Sequence, residues 1–214
     1  MYDNVFVGKN ANIQPKRILI LGESHYEENG EIDGTDSVVK YLAINGNDNE
    51  TQFYKNIMRT FGYEITEENR KKFWNIVYCG NYIDDLCGKG ENNPASKKVK
   101  EKNKDTTRES RTRYNNSLFS FINENEIDIV FCFSRLVYSN LPGFAKGESE
   151  EMPIKHKTQY LKKFTYKPNC AHKKCDVQLK KPVTVYGLKH PSSSYSYETY
   201  FEQHFKDEKN NIGL

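Results

Sequence analysis

Arg17-Ile-Leu-Ile-Leu-Gly-Glu-Ser-His-Tyr26 is the stretch whose reading decides the fold. Its first part, Arg17 to Gly22, is a short apolar run that closes on glycine. Such a run predicts a buried strand followed by a loop. Three more runs of the same kind follow: Trp74 to Cys79, Ile127 to Phe133 and Pro182 to Gly187. Between them lie stretches with helical spacing. Ser37 to Ile44 is one, and Glu50 to Phe61 is another, with Phe53, Ile57, Met58 and Phe61 on one face. Thr106 to Glu126 carries Leu118, Phe119 and Ile122 inward, Ser134 to Leu141 is short and stopped by Pro142-Gly143, and Tyr197 to Phe205 closes the chain. Apolar strands alternating with helices require a parallel sheet covered on both faces. The expectation is an α/β fold, a three-layer α/β/α sandwich with a mostly parallel four-stranded central sheet. Residues 1–214 read as one domain, with a basic insertion at about 145–181 that has no sustained periodicity.

In sheets of this type the ligand crevice lies at the carboxyl ends of the strands. Glu23-Ser24-His25-Tyr26 follows the first strand, and Asn81-Tyr82 with Asp84-Asp85 follows the second. Ser134-Arg135 follows the third, and Lys189-His190-Pro191-Ser192-Ser193-Ser194-Tyr195 follows the fourth. Groups capable of chemistry follow all four, so they could converge on one site. Asp84 and Asp85 themselves read as a helix N-terminal or solvated pair.

The order and spacing of these segments resemble the uracil-DNA glycosylase superfamily. The resemblance rests on Gly22-Glu23-Ser24-His25-Tyr26, Asn81 and His190-Pro191-Ser192-Ser193-Ser194. It covers roughly Arg17 to Phe205 apart from the insertion, and it implies the strand order 2-1-3-4. It also implies excision of a base from DNA, in which positive charge develops on the sugar and negative charge on the departing base. His190 suits the base side, donating a hydrogen bond to a base oxygen. Glu23 suits the sugar side, holding water and balancing charge, with Glu27 second. The resemblance places Ser24, Tyr26 and Asn81 at the base; an Asn amide offers both a donor and an acceptor to its edge. It places Ser192, Ser193, Ser194 and Tyr195 against DNA, as phosphate contacts and as a wedge beneath the flipped nucleotide. No metal or organic cofactor is expected in the chemistry.

This chain departs from the most familiar first motif, which has Asp at Ser24, Pro at His25 and His at Glu27. Some branches begin with Gly-Glu, as Gly22-Glu23 does. The region around Thr35 to Val39 holds no phenylalanine on which a base could stack, leaving Tyr41 and Trp74 as substitutes by type. The iron–sulfur cysteines of some branches are absent. These departures point to a modified or non-standard base, including the hypermodified cytosines of bacteriophage DNA, which would make the protein a defence factor.

Charge distribution agrees with a DNA partner. The formal net charge is only +3. Lys97 to Arg113 nevertheless holds eight Lys or Arg against three acids, and Lys155 to Lys181 holds nine lysines against Asp176 alone. Clustered cations on a near-neutral chain suggest a polyanion. The five cysteines, Cys79, Cys87, Cys132, Cys170 and Cys175, are odd in number and read as reduced thiols of a cytoplasmic protein. No apolar run approaches the roughly 20 residues of a membrane span, and a monomer is expected. His156, Cys170, His172 and Cys175 are ligand types zinc would accept, at a spacing unlike a standard finger.

Two other readings remain open. One is the same fold acting as a catalytically weak binder of unusual bases. The other is a Ser/His hydrolase, because Gly22-Glu23-Ser24 resembles the Gly-Asp-Ser start of a lipase and esterase family. That family has an Asp three residues before its His, where this chain has Gly187. The Gly-x-Ser-x-Gly elbow also fails at Tyr26.

Overall fold

The computed structural model describes residues 5–26, 34–46, 52–87, 108–143, 150–151, 160–191, 195–207, 209 and 213–214; for 24–26, 84–87, 108–110 and 150–151 it describes the backbone alone. The strands are β1 (Phe6–Val7), β2 (Ile18–Tyr26), β3 (Tyr78–Cys87), β4 (Ile129–Cys132), β5 (Glu150–Glu151), β6 (Leu161–Tyr166) and β7 (Val183–Leu188). The helices are α1 (Thr35–Val38), α2 (Gln52–Thr60), α3 (Glu67–Trp74), α4 (Arg108–Glu124), α5 (Arg135–Asn140) and α6 (Tyr197–Tyr200). Both α1 and α6 run on into π-helical turns, at Val39–Ile44 and Phe201–Phe205.

The fold is α/β, but the sheet corrects the four-stranded expectation. Among the described residues it has seven strands in the order β1-β3-β2-β4-β7-β6-β5. The contiguous strands β3, β2, β4 and β7 pair in parallel. Antiparallel strands extend both edges, β1 on β3 at one side and β6 then β5 beyond β7 at the other. Strand β6 lies within the segment expected to be an irregular insertion. Its register runs from Leu161 opposite Leu188 to Tyr166 opposite Val183, the whole length of β7. The run Leu-Lys-Lys-Phe-Thr-Tyr buries Leu161, Phe164 and Tyr166. Lysines are common near sheet edges, and here they hide the strand's apolar residues from a periodicity reading.

Two boundaries also move. Trp74 closes α3 rather than opening a strand; Thr66 caps the start of that helix by accepting the Asn69 N–H at 3.1 Å. Glu67 and Glu68 in its first turn suit the positive helix N-terminus. Strand β2 runs on past Gly22 to Tyr26, and β3 past Cys79 to Cys87. Gly22, Glu23 and Asn81 are therefore strand residues. Ser24 pairs with Ile83 and Tyr26 with Cys87, so β3 bulges around Asp84 and Asp85. These two aspartates lie in a strand backbone, so of the helix N-terminal and solvated readings the first does not hold.

Alternate residues of each central strand serve opposite faces. Leu19, Leu21, Val130, Cys132 and Val185 pack with Leu118, Phe119 and Ile122 of α4 and Val137 of α5. Ile18, Ile20, Phe131, Phe133 and Tyr186 pack with Ile57 of α2, Phe73 of α3 and Phe205. Half of the buried residues on the second face are aromatic. Phe131 stacks on Tyr186 with ring centroids 4.9 Å apart and meets Phe61 edge-on at 4.7 Å. Tyr200, fully buried, joins the top of β7 to the start of β6. Its hydroxyl accepts the N–H groups of Tyr160 and Lys189, each at 3.2 Å, and donates to the Tyr160 carbonyl at 2.8 Å. Among the described residues, no helix is long and apolar enough to cross a membrane.

Phe131 is completely buried and packs against Phe61, Tyr186 and Phe205 on the second face. Phe131→Ala should cost about 3–5 kcal/mol of unfolding free energy, the usual range for a phenylalanine deleted from a core. Denaturant unfolding measures this, and a loss below about 1 kcal/mol would contradict the packing described.

Candidate functional site

Parallel pairing brings the ends of β2, β3, β4 and β7 to one edge of the sheet. Gly22 lies opposite Asn81 in the β2–β3 register. A Cβ on residue 22 would fall 2.5 Å from Asn81 Oδ1. Glycine is therefore needed here to make room for the Asn81 side chain, which crosses over β2. Asn81 is half-buried, so its amide stands between core and solvent.

Glu23 follows directly and is also half-buried. Its carboxylate accepts a hydrogen bond from Ser134 Oγ. Ser134 is 1% exposed and caps α5, accepting the N–H groups of Leu136 and Val137 at 3.2 and 3.3 Å. With its lone pairs turned to the helix, the hydroxyl directs its proton at Glu23. This fixes the carboxylate as an acceptor in one orientation.

His190, just beyond β7, packs its ring on Phe53 of α2 with centroids 5.2 Å apart. His190 is exposed as a residue, yet atoms packed near its imidazole partly desolvate it. That desolvation holds the imidazole below its ordinary value of 6.5, and the nearby Glu23 charge partly offsets the effect. At neutral pH His190 is then a neutral ring with one N–H to donate. Cys132, at the end of β4, is fully buried, and burial pushes its thiol well above the ordinary range. The Ser134 backbone opposes this rise and the Glu23 charge adds to it. Cys132 stays a neutral thiol rather than a nucleophile.

The structure thus brings Glu23, Asn81 and His190 to the same sheet edge. Ser24 and Tyr26 are there by backbone position, and their side chains lie outside the described residues, as do Glu27 and Ser192, Ser193 and Ser194. Tyr195 is described and sits elsewhere. It is 7% exposed, its hydroxyl is 2.8 Å from Thr60 Oγ1, and its ring stacks on Tyr200 at 5.0 Å. That is a packing position, not the DNA-facing position expected of it.

The aromatic substitutes separate likewise. Trp74 is completely buried in the core and Tyr41 is 53% exposed on the surface. Phe53, expected only as an apolar position on one face of a helix, is the ring that reaches His190. Ser134 was visible as a residue following a strand, but its bond to Glu23 spans 111 positions. Of the four zinc-type residues, His156 lies outside the described residues. Cys175 donates to the Val177 carbonyl at 3.3 Å. Among the described residues, no three His, Cys, Asp or Glu side chains group to hold a metal ion. No protein-family model and no curated protein matches the chain.

The His190 environment sets a pH dependence. With its folded value below its unfolded one, the unfolded chain takes up the proton first. Stability is present above about 6.5 and is lost as pH falls through the folded value. NMR titration should find the His190 midpoint below 6.5, and lower still in Glu23→Gln, which removes the offsetting charge. A midpoint above 6.5, or one unmoved by Glu23→Gln, would contradict this geometry.

Proposed function

We propose that this protein is a monofunctional DNA N-glycosylase that flips a modified or non-standard base out of DNA and excises it, leaving an abasic site. The observation that carries the reading is the carboxylate of Glu23, held by Ser134 and electrostatically linked to His190, beside the Asn81 amide. Breaking an N-glycosidic bond needs opposite charges stabilised on its two sides, and these residues supply them. The neutral His190 N–H donates to the base oxygen on which negative charge gathers. Glu23 balances the sugar's positive charge and orients the water that adds to the sugar carbon. That water gives its oxygen and one proton to the sugar, and the departing base takes the other proton. Asn81 reads the base edge through its donor and acceptor. Phe53 offers a ring face for the flipped base.

The altered first motif supports a base other than plain uracil, with the hypermodified cytosines of phage DNA as a class that fits. On this reading the protein acts on DNA in the cytoplasm as a monomer and serves as a defence factor. Abasic-site formation on DNAs carrying uracil, hypoxanthine and phage-type modified bases tests the proposal. One modified base should be released, with Glu23→Gln, Asn81→Ala and His190→Ala each slowing release by about 10²–10³-fold, the usual cost of losing one stabilising group. Binding without release from any DNA would favour a binder of unusual bases. Serine-probe labelling lost in Ser24→Ala would favour the hydrolase.

A further inference from the structure

Three asparagines of α4 hold the lysine-rich run from His172 to Lys181 against the helix. Asn115, fully buried, accepts the Tyr82 hydroxyl proton at 2.8 Å and donates to the Lys174 carbonyl at 2.9 Å. Asn116 grips Asp176 twice. Its Oδ1 accepts the backbone N–H at 2.7 Å, and its Nδ2 donates to the carboxylate at 2.9 Å. Asn123 repeats the grip, accepting the Lys180 N–H and donating to the Gln178 carbonyl, both at 2.9 Å. The run begins with a tight turn in which the Cys175 N–H donates to the His172 carbonyl at 3.3 Å. Lys173 and Lys174 are left at its tip. Both feet of the turn are packed. The His172 ring meets Phe119 and Tyr166 edge-on, and Cys175 is buried.

The backbone of this run is therefore splinted, while its lysine side chains face outward. Lys173, Lys174 and Lys180 are all exposed. Among the described residues, no side-chain hydrogen bond or ion pair engages any of the three. The acids beside them are engaged already: the Asp176 carboxylate by Asn116, and Asp128 by Lys181 at 2.7 Å. The turn sets Lys173 and Lys174 side by side, their Cα atoms about 3.8 Å apart. From Asn115 to Asn123 the helix rises about 12 Å, so Lys180 stands about that far along it from Lys174.

We infer that Lys173, Lys174 and Lys180 form a pre-ordered cationic strap for the nucleic-acid backbone that flanks the nucleotide bound at the Glu23–Asn81–His190 site. This rests on the nucleic-acid reading of that site and adds a surface that holds the flanking strand. Each strand of DNA carries one phosphate per roughly 3.4 Å of helix axis, so the strap matches three to four of them. Tyr82 ties the strap to the site's end of the sheet, because it follows Asn81 in β3 and its hydroxyl holds Asn115. A splinted backbone is ordered before contact, which lowers the entropy lost on binding. A membrane surface fits less well, because it takes up apolar side chains among the cations. The exposed large apolar residues, Val7, Ile13 and Tyr41, all lie outside the strap.

The test is oligonucleotide binding by the full chain from 50 to 200 mM salt. Each phosphate contact removed should flatten the slope of log affinity against log salt by about 0.7–0.9. Lys180→Gln should do so once. Lys173→Gln with Lys174→Gln should do so twice, and so lose roughly tenfold less affinity than wild type across that range. Lys173→Arg with Lys174→Arg should keep the wild-type slope. Asn116→Ala with Asn123→Ala keeps every lysine but frees the run. It should keep the slope and weaken binding about two- to tenfold at each salt concentration, the cost of ordering a side chain or two. Lys71→Gln, on exposed α3 in an ion pair with Glu67, should match wild type. Wild-type slopes in both Gln variants would overturn the strap and leave the glycosylase reading standing. Unchanged affinity in the asparagine variant would overturn its pre-ordering. No wild-type binding to any DNA would overturn the nucleic-acid reading itself. Binding to phosphatidylserine vesicles, lost in the double Gln variant, would assign the lysines to a lipid surface and overturn the backbone assignment.

Discussion

The parallel pairing of β2 on both of its edges is the constraint on which the site depends. β3 fixes Gly22 opposite Asn81, and β4 fixes Leu21 opposite Cys132, two residues before Ser134. A register shift of one residue would turn every β2 side chain to the other face. Glu23 would then leave Ser134, and Asn81 would meet a side chain where it now crosses a glycine. Burial on both faces sets this register strongly. Ile18, Leu19, Ile20 and Leu21 are all 1% exposed or less, so no slip leaves the core intact.

Around that frame the site is organised by desolvation as much as by contacts. The carboxylate of Glu23 is held by a hydroxyl that is itself committed to a helix end. The imidazole of His190 is kept neutral by the atoms packed about it, while the Glu23 charge pulls the other way. An acid and a neutral donor at one sheet edge are the pair that the proposed bond cleavage requires. The aromatic second face makes the support rigid. Tyr195 and Tyr200 stack on one another, and the Tyr200 hydroxyl binds three backbone groups beside the ends of two strands.

The parts of this arrangement that were legible in the sequence are those encoded locally. The four parallel strands announce themselves as apolar runs, and Glu23, Asn81 and His190 stand where such runs end. The seven-stranded mixed sheet did not show, because β6 is rich in lysine and β1 and β5 are two residues each. The strand ends were also misjudged. Gly22 reads as a terminator, whereas here it makes room for the Asn81 side chain within a strand. Ser134, Phe53 and the burial of Tyr195 depend on contacts between distant segments. No local pattern encodes them: Thr60 and Tyr195 are 135 positions apart.

Mass spectrometry of the small molecules released from intact genomic DNA, modified and unmodified, tests the central claim most directly. The account predicts a free modified base in the soluble fraction, in amounts that match the wild-type protein's turnover, with the DNA strand left uncut. A DNA that is bound but yields no free base, whatever its modification, would contradict it.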